Sequence, residues 1–244
     1  MLAAITFDFW NTICCEPPGG YLRGRRLAAM GEVLGAAGVG DAGAELAAAY
    51  DSAWLSYVAA WEANRQFTGR DAVAHITEYL EDRFEIGPDV VSALGEAFHA
   101  VGSAQLLDIN FVDGVVDVLD EIDRRGIPTA IVCDVGFTPG EALRRFLDQR
   151  GVLRYFRHWA FSDEVGVYKP DRRIFEHALA GLGDPDPSRC AHIGDRRRTD
   201  VAGAMAMGMK AARLNAVYED DPGQGPSGDI VIGAYPDLLP ALGL

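Results

Sequence analysis

From Asp108 onward the sequence alternates short apolar runs with amphipathic stretches, and this alternation constrains the fold more than any other feature. Val115–Arg125 has helical spacing and is stopped by Gly126, while Pro128–Cys133 reads as an apolar strand. Thr138-Pro139-Gly140-Glu141 forms a capping box with proline at the first helical position, so a helix starts there. His158–Phe161 reads as a short strand and Asp171 as the N-cap of a helix over Arg172–Leu182. Ala191–Ile193 is a strand running into Gly194-Asp195, with a helix beginning near Thr199. Ala211–Leu214 and Asp229–Ile232 are the last strand candidates, separated by a Gly/Pro/Asp-rich loop over 219–228. Residues 2–8 add a buried strand at the start of the chain. Strand–helix alternation predicts an α/β fold, a parallel sheet with helices on both faces. Ligands bind such sheets at the C-terminal ends of the strands. Asp8, Cys133 and Asp195 each fall at or just past a predicted strand end, so three separate segments bring polar groups to one edge.

The stretch between has a different texture. After the turn cluster Pro17-Pro18-Gly19-Gly20, the chain is helical and Ala-rich from Tyr21 to about Gln105, with Gly87-Pro88 marking a turn between helices. Tyr50, Trp54, Tyr57 and Trp61 share one helix face, the expected core of a helix bundle. The predicted organisation is therefore a core built from 1–15 and 106–244, interrupted by a helical insert over 16–105. A net charge of −14 repels nucleic acid and anionic membrane surfaces, so neither is an expected partner. No apolar run is long enough to span a bilayer, and the N-terminus lacks a basic segment followed by a long apolar stretch. Cys14, Cys15, Cys133 and Cys190 show no zinc-ligand spacing, and reduced thiols in a cytoplasm are the expectation.

Four segments carry the chemistry. They are Asp8-Phe9-Trp10-Asn11-Thr12, Ile131-Val132-Cys133-Asp134, Glu164-Val165-Gly166-Val167-Tyr168-Lys169-Pro170 and His192-Ile193-Gly194-Asp195-Arg196-Arg197-Arg198-Thr199-Asp200. In order and in placement they resemble the motifs of the haloacid dehalogenase-like hydrolases. The first resembles Asp-x-Asp-x-Thr, the fourth Gly-Asp-x-x-x-x-Asp, and the third is close to the family's lysine segment. The resemblance implies a Rossmann-like core with a C1-type helical cap inserted after the first strand. It also implies hydrolysis of a small phosphorylated metabolite.

The residue types suit that chemistry. A carboxylate attacking phosphorus forms an acyl phosphate and splits one hard step into two, and Asp8 is the candidate nucleophile. Carboxylate and phosphate repel, so a divalent cation is expected, and Mg²⁺ prefers oxygen ligands. The resemblance assigns the metal to Asp8, the Trp10 carbonyl and Asp195, with Asp200 a further ligand or a support behind them. It assigns neutralisation of Asp8 and the phosphoryl oxygens to Lys169, one of only two lysines in the chain. Cys133 occupies the position of the family's phosphate-binding hydroxyl, with Asp134 beside it. His192, ahead of a strand end, reads as a packed side chain. Arg23, Arg25, Arg26, Asn64 and Gln66 are polar groups of the insert in reach of a substrate.

Trp10 departs from the family pattern, standing where the second carboxylate acts as general acid. Such an acid is worth roughly 10²–10⁴ in rate, or about 3–5 kcal/mol of barrier. Three readings follow: a phosphatase or phosphotransferase for substrates with good leaving groups, a dehalogenase-like hydrolase that attacks carbon without metal, or a catalytically impaired binding module. The Asp195/Asp200 pair favours the first, because clustered carboxylates repel unless a cation joins them.

Overall fold

The computed structural model describes residues 2–103, 105 and 107–244. After β1 (Ala4–Phe7) and the short β2 (Cys14–Cys15) come four helices: α1 (Tyr21–Ala36), α2 (Gly43–Glu62), α3 (Gly69–Glu81) and α4 (Pro88–Val101). Then follow β3 (Asn110–Phe111), α5 (Val115–Arg124), β4 (Thr129–Cys133), α6 (Gly140–Gln149), β5 (Phe156–Phe161) and α7 (Ser162–Val165). The chain ends with α8 (Arg172–Ala180), β6 (Cys190–Gly194), α9 (Ala202–Met207), β7 (Lys210–Leu214), β8 (Ile230–Ile232) and α10 (Leu238–Leu242).

The α/β expectation holds. β5-β4-β1-β6-β7-β8 form one six-stranded sheet in which each described pairing is parallel. β1, β4 and β6 are buried throughout, as expected of strands covered on both faces. On one side Ala4, Ala130, Val132 and Ala160 of the sheet pack with Ile174, Phe175 and Ala178 of α8 and Ala204 of α9. Register places the polar edge. Phe7 pairs with Ile131 on one side and Ile193 on the other, so Asp8 lies one step beyond, level with the ends of both neighbouring strands.

The chain divides into two compact units. One comprises Met1–Cys15, Ile109–Asp134 and Leu147–Leu244; the other comprises Glu16–Asp108 and Val135–Phe146. The expected boundary at 105/106 falls beside Leu106, which lies outside the described residues. Residues 135–146, which the sequence reading kept with the sheet, group with the helices. Phe137 explains why: its buried ring meets Tyr50, Trp54, Tyr57 and Phe98 at 5.5–5.8 Å between centroids. The aromatic stripe is only partly core. Tyr50 and Tyr57 are buried, while Trp54 is 46% exposed.

The sequence does not disclose several smaller elements: β2 and β3, which form a short antiparallel pair, the π-helical turn Arg197–Val201 ahead of α9, and the short helices α7 and α10. Among the described residues no helix is long and apolar enough to cross a membrane.

Candidate active site

Three adjacent strands supply the site. Asp8 follows β1, Cys133 ends β4 and Asp195 follows β6. The backbone N–H of Asp8 donates to the Ile193 carbonyl at 2.8 Å, which seats the carboxylate at the sheet edge. Asp8, Asp195 and Asp200 are buried, and one carboxylate oxygen from each lies within 4.8 Å of the others. The Lys169 Nζ enters this group, 2.5 Å from Asp8 Oδ1 and 2.6 Å from Asp200 Oδ1.

Asp200 reaches back because of the π-helical turn. Both Asp200 and Val201 donate their N–H to the Arg196 carbonyl, at 3.0 and 3.1 Å, the second closing the wider π-type turn after the strand. Gly194 makes the space: a Cβ there would lie 2.2 Å from Asp200 Cγ. Asp200 Oδ1 then faces Lys169 and, at 3.1 Å, His192 Nε2, while Oδ2 accepts from the Arg196 N–H at 2.9 Å. Lys169 is held from its backbone too, since its N–H donates to Asp134 Oδ1 at 2.8 Å. Asp134, expected beside a bound phosphate, thus directs this carboxylate oxygen at the lysine loop. The Cys133 thiol lies buried, with Sγ 3.5 Å from the Asp134 carbonyl.

The loop after Asp8 adds residues that sequence reasoning passed over. Asn11 adopts a left-handed backbone with φ 58°, a conformation asparagine tolerates better than most residues, and its Nδ2 donates to Asp195 Oδ2 at 3.0 Å. Tyr235, fully buried, donates its hydroxyl to the Thr12 carbonyl at 2.9 Å. The Thr12 hydroxyl is itself buried without a partner. Trp10 is half-buried and packs edge-on against Phe9, with 5.2 Å between centroids. His192 was read as packed and is both packed and hydrogen-bonded; a polar residue inside a fully buried strand was the available signal. Of the polar groups of the insert, Arg23 pairs with Asp51, Arg25 meets the Tyr21 hydroxyl, and Arg26 is buried against Thr138. Asn64 and Gln66 are exposed.

The electrostatics are those of an under-neutralised carboxylate cluster. Burial, opposed by Lys169 and reinforced by Asp200 and Asp195, raises Asp8 well above the usual carboxylate range. Burial and Asp200 push Asp195 up to about 7. Burial would also raise Asp200, but Lys169 and the His192 N–H hold it below its ordinary value. Burial alone would depress Lys169, yet Asp200 and Asp8 carry it well above. Burial, opposed by Asp200, holds the His192 imidazole below its usual range. Burial and Asp8 push the Cys133 thiol up.

Fold and sequence together place the protein among hydrolases built on a Rossmann-like α/β core. The chain belongs to the haloacid dehalogenase-like hydrolases, whose family model matches residues 2–208. It is 27% identical over 231 residues to the ribulose-1,5-bisphosphate 5-phosphatase of Halopiger xanaduensis, covering 91% of this chain and 88% of that one. It is 35% identical over 109 residues to the pyrimidine 5'-nucleotidase YjjG of Escherichia coli (strain K12), covering 45% of this chain and 47% of that protein, about half its length. The solved structure of a HAD phosphatase from Thermococcus onnurineus superposes with a TM-score of 0.72 at 19% identity, covering 99% of this chain and 98% of that one, and so shares the fold.

Proposed function

We propose that this hydrolase is a Mg²⁺-dependent phosphatase or phosphotransferase that acts on a small phosphorylated metabolite through an acyl phosphate on Asp8. The observation that carries the reading is the buried group of Asp8, Asp195 and Asp200 around a single ammonium. Fully ionised, three carboxylates and one lysine would leave two negative charges in a buried space, an expensive arrangement unless a divalent cation completes it. The donors are all oxygens, which suits Mg²⁺. Asp8, Asp195 and the Trp10 carbonyl would hold it, with Asp200 beside them. Bound there, Mg²⁺ would draw phosphoryl charge and ease its approach to Asp8. The names of the relatives above, a nucleotidase and a sugar bisphosphate phosphatase, are those of phosphate-ester hydrolases.

The chain's own groups have distinct tasks. The free Asp8 oxygen attacks phosphorus, the bond from phosphorus to the leaving oxygen breaks with its electron pair, and that oxygen is protonated by solvent where its basicity requires it. Water then attacks the acyl phosphate, releasing inorganic phosphate and restoring Asp8. Lys169 neutralises Asp8 and the phosphoryl oxygens, and Asp134 fixes the lysine loop. Cys133 marks the phosphate side of the edge.

The carbon-attacking alternative has no use for a buried three-carboxylate group. The test is turnover of acetyl phosphate, p-nitrophenyl phosphate, sugar phosphates and a 2-haloacid, with Mg²⁺ and with EDTA. Phosphate release that needs Mg²⁺ and vanishes in Asp8→Asn is expected. Unchanged turnover in Asp8→Asn removes the nucleophile assignment, and halide release in EDTA replaces the reading altogether.

A further inference from the structure

We infer that Thr6 and His192 are positioning residues, a buried arm that holds Asp200 and, through it, the Lys169 ammonium against Asp8. The inference rests on the reaction proposed above for its catalytic meaning, but the arm itself is visible in the geometry. Thr6 and His192 face each other across β1 and β6 in register. Thr6 Oγ1 lies 2.8 Å from His192 Nδ1, and His192 Nε2 lies 3.1 Å from Asp200 Oδ1. From that oxygen the contact continues to Lys169 Nζ at 2.6 Å and on to Asp8 Oδ1 at 2.5 Å. Each of these five residues is at most 5% exposed.

The proton positions along the arm follow from donor and acceptor chemistry. A carboxylate only accepts, so Nε2 carries hydrogen. In a neutral ring Nδ1 then accepts, and the Thr6 hydroxyl donates to it. The competing acceptor for that hydroxyl, the Ala191 carbonyl, is at 3.4 Å and too long to compete. The ring is locked from the side as well. Phe175 meets it edge-on at 5.1 Å, and Phe175 fits only because Gly203 carries no side chain, since a Cβ there would lie 2.4 Å from the Phe175 ring.

Packing alone does not call for this residue. Leucine would fill the space without burying two ring nitrogens, each of which needs a partner. What histidine adds is a ring N–H aimed at Asp200 Oδ1. The moment when this matters is the acyl phosphate. Once Asp8 has bonded to phosphorus it is no longer a free carboxylate, and Lys169 loses one of its two anionic partners. Asp200, pinned by His192 on Oδ1 and by the Arg196 N–H on Oδ2, keeps the ammonium in place for the attack of water.

The test has two independent readouts. Nitrogen-15 NMR of the metal-free protein, with the His192 ring assigned by its loss in His192→Gln, should find hydrogen on Nε2 and none on Nδ1. Acetylation followed by mass spectrometry exploits the two lysines: exposed Lys210 reacts and Lys169 is protected. His192→Leu and the isosteric Thr6→Val should each raise Lys169 labelling relative to Lys210. His192→Gln, which retains an N–H near the Nε2 position, should restore most of the protection. In turnover, His192→Leu should lower kcat by about 10–100-fold, as removal of a group supporting a catalytic residue does, with KM little changed. Hydrogen on Nδ1, Lys169 labelling that does not respond to Thr6→Val, or a kcat loss that His192→Gln fails to rescue would each overturn the inference. If the native protein hydrolyses no phosphate ester with Mg²⁺, the reaction assignment fails, while the tautomer and the lysine labelling still decide the arm. Thr6→Val carries the test should His192→Leu fail to fold.

Discussion

Asp195 offers a quantitative check on the charge argument. Its carboxyl stands at about 7 against an ordinary 3.8, because burial and Asp200 disfavour the charged form. The folded state therefore keeps a proton on Asp195 that the unfolded chain has lost between about pH 4 and pH 7. Where the folded state binds more protons, stability falls as pH rises. At about 1.4 kcal/mol per pH unit, the full interval corresponds to about 4 kcal/mol at this one position. For a chain of this size that is a displacement on the order of 10 °C in the melting temperature. The comparison that isolates it is thermal unfolding of metal-free wild type and Asp195→Asn across pH 4–8. Wild type should lose stability relative to the variant between about pH 4 and 7, with no further change above. Mg²⁺ must displace the same proton, so its affinity should rise with pH up to about 7. A stability difference that is flat, or that grows in favour of wild type as pH rises, would refute the reasoning, as would Mg²⁺ affinity independent of pH below 7.

Two other substitutions probe the same edge. Gly194→Ala places a Cβ 2.2 Å from Asp200 Cγ, and the overpacking should cost about 1–3 kcal/mol and displace Asp200 from Lys169. Calorimetry together with Lys169 labelling checks this, and a variant with native stability and native labelling contradicts the described fit. Trp10→Asp should raise turnover mainly of alkyl phosphates, by up to about 10²–10⁴, and do little for acetyl phosphate. Equal effects on every substrate in the panel would sink the leaving-group argument.

How much of this was legible in the sequence depended on the range of the interaction. Strand–helix alternation and caps such as Asp171 are local, and they indicated the sheet and most element ends within two residues. The strand-end positions of Asp8, Cys133 and Asp195 were readable for the same reason. What was not readable was which groups face each other. Thr6 and His192 are 186 positions apart and meet through strand register, which one sequence does not disclose. Asn11 sat in plain view inside the first motif, but its left-handed backbone, and hence its aim at Asp195, depends on the turn formed with β2. That one oxygen of Asp134 accepts from the Lys169 N–H, 35 residues later, is likewise a long-range fact that the segment after Cys133 does not disclose. Phe137 lies just past β4 in the chain, and only its ring contacts show that it groups with the helices.

The proton inventory of the edge returns to Trp10. An indole N–H does not titrate, so if the proposed reaction needs a general acid it must be another group. The neighbours are already engaged. Asp200 accepts hydrogen bonds on both oxygens, from Lys169 and His192 on one and from the Arg196 N–H on the other. Asp195 accepts from Asn11 and is the group a cation would deprotonate. The Tyr235 hydroxyl is spent on the Thr12 carbonyl, and burial keeps it protonated there. Of these three groups, none presents a loosely held proton to a leaving oxygen once a cation is bound. Departure of an alkoxide then depends on solvent, whereas a carboxylate or a phenolate leaves with little need of a proton. On this reading the tryptophan selects substrates by chemistry, ahead of any selection by shape. Across the panel, turnover should fall steeply with the basicity of the leaving group.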